Sequence, residues 1–300
     1  MATTRSFTSS YSGDDIRSYI LRALTGGETL STDGLNIQTG VKYKRAIKRF
    51  TSADIVQSGS CSFNPVGTLT ISEGVLEPQK MKINEQICFE DVYQLWDAES
   101  MADGMNEEEM PQELVDAVVE EFVGRFAEYV ENHIWQGDLT GATYVLFDGY
   151  EKLLDNGSPV DVTATTITAA NVLAEMAKVT AAQPKAIKLK PASQKVLFVT
   201  PEIAELYQQS LDAQGLNTSI DEKAMAYHGI EVRAVGGLSA GKMVLGLRDN
   251  FYFGTDLMSD WTDINILDQR QIDGSDFVNF VMKAKADVAI GWTQEVVYYA

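Results

Sequence analysis

Two overlapping segments carry residue types in spacings that could do chemistry. Gly237-Leu238-Ser239-Ala240-Gly241 has the G-x-S-x-G spacing of a nucleophile elbow, where a strained strand-to-helix turn lifts a serine above a sheet. Gly236 to Lys242 has the G-x-x-x-x-G-K spacing of a phosphate-cradling loop. Neighbouring residues complete neither. The stretch after Gly241, KMVLGL, reads as a strand, so no helix N-terminus follows to hold phosphate or to stage a serine. Met243 stands where the phosphate loop needs Ser or Thr for magnesium. A serine nucleophile also needs a base, and only His133 and His228 are available, neither paired with a carboxylate in a recognisable order. A glycine-rich turn between two strands accounts for the whole segment.

The remaining reactive side chains have structural readings. His133 falls near the end of a long helix, where an imidazolium would meet the negative end of the dipole. His228 precedes a turn glycine. Cys61 and Cys88 are too few for a disulfide framework and lack zinc-site spacing, so both are expected as small core residues. Glu107, Glu108 and Glu109 lack the Asx spacing and central glycine of a calcium loop. No catalytic residue, cofactor or metal ligand is therefore expected.

Charge is distributed unevenly. Acids outnumber bases 43 to 24, a formal net charge of −19 that offers nucleic acid no chain-wide attraction. Between Glu85 and Glu131 the acids are opposed only by Arg125, whereas VKYKRAIKRF just upstream carries Lys42, Lys44, Arg45, Lys48 and Arg49 with no acid. Within 42–49 it holds a single aromatic, Tyr43, which argues against a nucleic-acid patch. The economical expectation is an inter-subunit interface: the strip of one copy against Glu107, Glu108, Glu109, Glu113 and Asp116 of a neighbour. At 45% hydrophobic and 22% charged the composition is globular. No stretch reaches the roughly 18 apolar residues of a membrane span, and the first residues lack a secretory apolar core, so cytoplasmic synthesis and no membrane are expected.

The elements around these residues follow from periodicity. Residues 1 to 13 are Ser/Thr-rich and predict a mobile arm; Asp14 caps a short helix with Ile16, Tyr19, Ile20 and Leu24 on one stripe; Leu30 to Gly40 reads as extended linker. From 51 to 95, alternation such as Thr68-Leu69-Thr70-Ile71 and Lys80-Met81-Lys82-Ile83, broken by Gly74 and Pro78, predicts a long β-hairpin too poor in apolar residues to form its own core. A helix from about Glu107 to Trp135 follows, with Met110, Leu114, Val118, Phe122, Phe126, Val130 and Ile134 at steps of four. At 1.5 Å per residue it is roughly 40 Å long. The rest mixes helices (168–182, and from Pro201 to about Gly215) with strands (195–199, 229–235, 242–247, 251–253, 277–290 and 293–299), giving an α+β class.

This order of parts resembles the tailed-bacteriophage major capsid proteins, whose fold is shared with encapsulin compartments. The residues that carry the resemblance are IWQGDLTG (Ile134 to Gly141), HGIEVRAVGGLSAGKMVLGLRDNFYFGTD (His228 to Asp256) and FVNFVMKAKADVAIGWTQEVVYY (Phe277 to Tyr299). It implies an N-terminal arm (1–50), an extended hairpin loop (51–90), a peripheral domain with the long spine helix (91–140), an axial domain (141–260) and a return to the peripheral domain (261–300). It implies a structural subunit, not an enzyme, that self-assembles into hexamers and pentamers of an icosahedral or prolate head around double-stranded DNA held without sequence-specific binding. A scaffolding protein and a portal are the implied assembly partners, the virion the destination and the host bacterial cytoplasm the place of assembly. Some relatives cross-link a loop lysine; Lys80 and Lys82 lie in that region, but no motif supports the chemistry and no cross-link is expected. A long propeptide is not expected either. The alternatives are an encapsulin-type shell, another virion component or, last, a soluble α/β enzyme using the 236–242 loop.

Overall fold

The computed structural model describes residues 10–11, 29–30, 35–53, 55–59, 61, 67–88, 112–215, 225–256, 264–269, 272 and 274–300, with side chains of the long helix described from 119 onward. The predicted helix after Asp14 and the acids Glu107, Glu108 and Glu109 lie outside the described residues.

Three sheets and one long helix, α1 (Gln112–Gln136), organise the chain. The first sheet is built on β13 (Phe277–Ile290), the longest described strand. It pairs antiparallel with β5 (Gln79–Cys88), β11 (Phe251–Gly254) and β12 (Ile264–Asp268). Two short strands extend this sheet: β1 (Ser10–Tyr11) on β12, and β2 (Asn36–Gln38) parallel to β11. These correct two expectations. Part of the arm read as mobile is a strand, because β12 otherwise presents an open row of N–H and C=O groups, and part of the segment read as linker completes the far edge for the same reason.

The second sheet runs β6 (Val160–Val162), β14 (Val297–Tyr299), β10 (Met243–Leu247), β7 (Lys195–Val199), β9 (Ile230–Ala234), β8 (Ala226–Tyr227). Both of its faces are covered, so its central strands are apolar throughout. Val196, Phe198, Val244 and Tyr298 face the core shared with α1, which supplies Val123, Phe126, Val130, Ile134 and Trp135. Leu197, Val199, Met243, Leu245, Val297 and Tyr299 face a second core with the helices Val172–Ala181 and Pro201–Ala213. Two further helices, Tyr150–Asp155 and Lys185–Lys188, border these layers. The His228-Gly229 pair joins β8 to β9 with φ of 50° and 77°, the left-handed pair that a two-residue hairpin turn demands. The expected tail strand 293–299 divides into a 3-10 turn, Thr293–Glu295, and the three residues of β14.

The third sheet is the hairpin, and here the pairing differs from expectation. Its strands are β3 (Arg45–Ala53) and β4 (Thr68–Leu76), in register from Arg45 opposite Leu76 to Ala53 opposite Thr68. The Lys80–Ile83 segment is not its return strand; it belongs to β5, which pairs with β13 over ten residue pairs. The break falls at Glu77-Pro78, where proline cannot donate to a ladder. The basic strip thus runs into the first hairpin strand.

Candidate assembly surface

Alternation along β3 and β4 divides the hairpin into two faces. One carries Ile47, Arg49, Gly74 and Leu76; the other carries Ala46, Lys48, Phe50, Leu69, Ile71, Glu73 and Val75. The first face is fastened to the body at its base. Leu76 is fully buried with Val41 and Ala289, and it sits so closely over Gly254 that a Cβ there would lie 2.4 Å from a Leu76 methyl. Arg49 lies across Gly74 and its Nη2 donates to the Ile290 carbonyl at 2.6 Å. Lys44 pairs with Glu77 at 2.8 Å. The Glu77 amide donates to Asp287 Oδ2 at 2.5 Å, and the Val288 amide donates to Oδ1 at 2.9 Å.

Asp287 is the electrostatic oddity of this base. Burial pushes its carboxyl up to about 7, against the two amide hydrogen bonds that favour the anion, and the Glu77 and Asp148 carboxylates add to the rise.

Among the described residues, none of the same chain covers the second face. Phe50 is 59% exposed, Leu69 67%, Ile71 57% and Val75 52%. Four large apolar side chains on one side of a two-stranded sheet, with Lys48 opposite Glu73 among them, form a surface that water hydrates at a cost of roughly 25 cal/mol per Å². Ile55 and Val56, beyond the end of β3, are also exposed.

The residues predicted for the interface are distributed as follows. Lys44 and Arg49 have the intrachain partners just given, while Lys42, Arg45 and Lys48 are exposed along the hairpin's first strand and its approach. Glu113 and Asp116 lie in the first two turns of α1. Farther along that helix Glu121 and Glu128 are exposed and flank Arg125 at 3.0 and 3.4 Å. Sequence reasoning passed over a second basic surface, Lys80, Lys82, Lys283 and Lys285, which lines a concavity of about 540 Å³ with Met81, Asn265 and Ala284. Its signal was the K-x-K spacing that occurs in both strands.

The 236–242 segment forms the expected turn between β9 and β10, held by hydrogen bonds that use up its functional groups. Glu151 Oε1 accepts from the Ser239 amide at 2.7 Å, and Oε2 accepts from Ser239 Oγ at 2.8 Å and Lys242 Nζ at 2.7 Å. Lys242 also donates to the Tyr298 hydroxyl at 2.6 Å. Burial of its ammonium is outweighed by these two partners, so its pKa is raised. The His133 expectation is corrected: the ring is fully buried and burial lowers its pKa to about 4, so it is a neutral acceptor for the Leu146 and Phe147 amides, both at 3.2 Å. Cys61 is corrected too, being exposed on the segment beyond β3, away from the described cores; Cys88 is half-buried at the end of β5.

No protein-family model matches the sequence, and no curated protein matches it. Solved structures match over almost the whole chain. A structure from Mycobacterium phage Adephagia aligns with a TM-score of 0.60 at 14% identity, covering 91% of this chain and 90% of that one. The capsid of Myoviridae phage XM1 aligns at 0.58 and 10% identity, covering 100% and 95%. A virus-like particle from Pyrococcus furiosus aligns at 0.54 and 9% identity, covering 96% and 98%. The chain shares the fold of these structures over nearly its whole length.

Proposed function

We propose that the chain is the major capsid subunit of a tailed bacteriophage, with a structural role and no catalytic one. The observation that carries the reading is the hairpin's uncovered apolar face on a chain whose fold matches phage capsid chains end to end. A surface of this kind is stable in water when another protein covers it, and in a homo-oligomer the available cover is the next copy. Repeated under closed symmetry the contact gives rings, here hexamers and pentamers, and then a head that encloses double-stranded DNA. Lys42, Arg45 and Lys48 on the same hairpin edge face the acids Glu107, Glu108, Glu109, Glu113 and Asp116 of the neighbour, which sets register across the contact. A scaffolding protein and a portal direct assembly in the host cytoplasm, and the finished shell is part of the virion. The fastened base fits this reading, since a hairpin held at a fixed angle presents its face reproducibly.

Light scattering and negative-stain microscopy of the purified chain, alone and with its scaffolding protein, test the proposal. Capsomers or closed shells are expected; a monodisperse monomer under all conditions overturns it. The match to the Pyrococcus furiosus virus-like particle favours one second reading, a cellular compartment of encapsulin type. Particles isolated from cells decide between them, by holding DNA or by holding a cargo protein.

A further inference from the structure

The cross-strand register of β5 and β13 places Lys82 directly opposite Lys283, and Lys80 directly opposite Lys285. Residues two apart share a strand face, so all four lysines lie on one side of the sheet, opposite the side on which Met81, Met282 and Ala284 are buried in the core. Like charges directly opposite each other oppose strand pairing. Lys285 is offset by an ion pair with Asp256, which leaves an excess of positive charge over the concavity lined by these residues and Asn265.

The hairpin shows that this arrangement is not general to the chain. There Lys48 lies opposite Glu73, and Lys44 meets Glu77. On a subunit with 19 more acids than bases, two stacked lysine pairs on an open sheet face are a local reversal of sign. Such a patch is stabilised by an anionic partner, and before any DNA is enclosed the anion present at the highest local concentration in an assembling shell of this chain is the chain itself.

We infer that the Lys80–Lys82–Lys283–Lys285 face is an inter-subunit docking site for the acid-rich surface of a second copy, distinct from the strip at 42–49. The inference rests on the shell reading above and deepens it by naming a contact. The acids Glu121 and Glu128, exposed on α1, exemplify the partner chemistry. The lysine pairs then act as a specificity device: they weaken the isolated sheet slightly and are relieved only when the neighbour docks.

The test compares wild type, the double variant Lys82→Glu/Lys283→Glu, and the control Lys190→Glu, whose exposed site lies far along the chain. A wild-type chain that forms no particles overturns the shell reading, and this inference with it. Where wild type assembles, the double variant should melt close to wild type, because one like-charged cross-strand pair replaces another. Its particle yield near ~0.15 M salt should fall by at least about tenfold, while the control stays close to wild type. Equal yield and equal salt dependence for the double variant and the control overturn the inference. A second readout needs no mutation: acetylation of wild-type lysines by an N-hydroxysuccinimide ester, mapped by mass spectrometry. Protection of Lys82 and Lys283 in DNA-free particles supports docking of a second copy. Protection that appears only after DNA is added assigns the patch to nucleic acid and overturns it.

Discussion

β7 and β4 are strands of similar chemistry with opposite fates. In β7, Val196, Leu197, Phe198 and Val199 are all fully buried, two facing α1 and two facing the helices of the second core. In β4, Leu69, Ile71 and Val75 stand in water, and only Leu76 at its end is buried. Each holds four large apolar residues, so their number alone does not separate them. What separates them is the number of elements the rest of the chain brings to each face. β7 sits in the middle of six strands between two helical layers, whereas β4 has one strand partner and, among the described residues, no layer above it. An element so poorly covered persists because its base is bolted to the body and because, in our proposal, its cover comes from another molecule.

That comparison breaks or sharpens under substitution, and the effects rank by how much of each side chain the chain covers. Phe198→Ala should cost about 3–5 kcal/mol in chemical unfolding, with T-shaped contacts to Trp135 and Phe251 lost together. Leu76→Ala should cost about 3 kcal/mol, a core-sized effect from a hairpin residue, and should raise amide exchange through β3 and β4 in particular. A loss no larger than that of an exposed strand residue would mean that the base is not a socket.

Asp287→Asn comes next. A carboxyl whose pKa is higher in the folded chain holds its proton more tightly there, so the stability it contributes is present below about pH 4 and lost as pH rises through about 7. Removing the charge should flatten that decline, read from melting temperatures across pH, while the lost acceptor for the Glu77 or Val288 amide lowers stability by roughly 1–3 kcal/mol at every pH. His133 acts in the opposite sense. Its lowered pKa makes the neutral ring the folded form, so its contribution is present above about 6.5 and lost as pH falls through about 4. The smallest effect on the isolated subunit belongs to Phe50→Ser/Ile71→Ser, under about 0.5 kcal/mol per site, yet the same pair should abolish assembly.

Much of this architecture was legible in the sequence where a single segment decides its own state. The four-residue steps from Phe122 to Ile134 gave the long helix, Pro201 after Thr200 opened a helix where expected, and β13 coincides with the segment 277–290. The glycine turn at 236–242 was readable because a strand, not a helix, follows it. Pairing was less accessible. Lys80 to Ile83 declares a strand by alternation, but nothing local says that it joins β13 rather than β4, since that choice depends on which partner lies alongside in three dimensions. Short strands that only complete an edge, β1 and β2, carry too few residues for a period. The charge state of His133 and the exposure of Cys61 depend on what surrounds them, which no spacing encodes. At the candidate surface the basic strip was visible, the division between fastened and outward residues was not, and the lysine quartet needed the register of two strands far apart in sequence.

The ten-pair ladder between β5 and β13 also has a mechanical meaning. The hairpin enters the body through β5, so tension applied along that strand loads the ladder in shear, all of its hydrogen bonds sharing the force, rather than peeling them one by one. Pulled from the hairpin tip, the two-stranded β3–β4 unit should therefore yield first and at low force, while the sheet behind it stays intact. The molecule is built as a compliant tab on a stiff plate, and strain in an assembly would be absorbed in the tabs before it reached the plates.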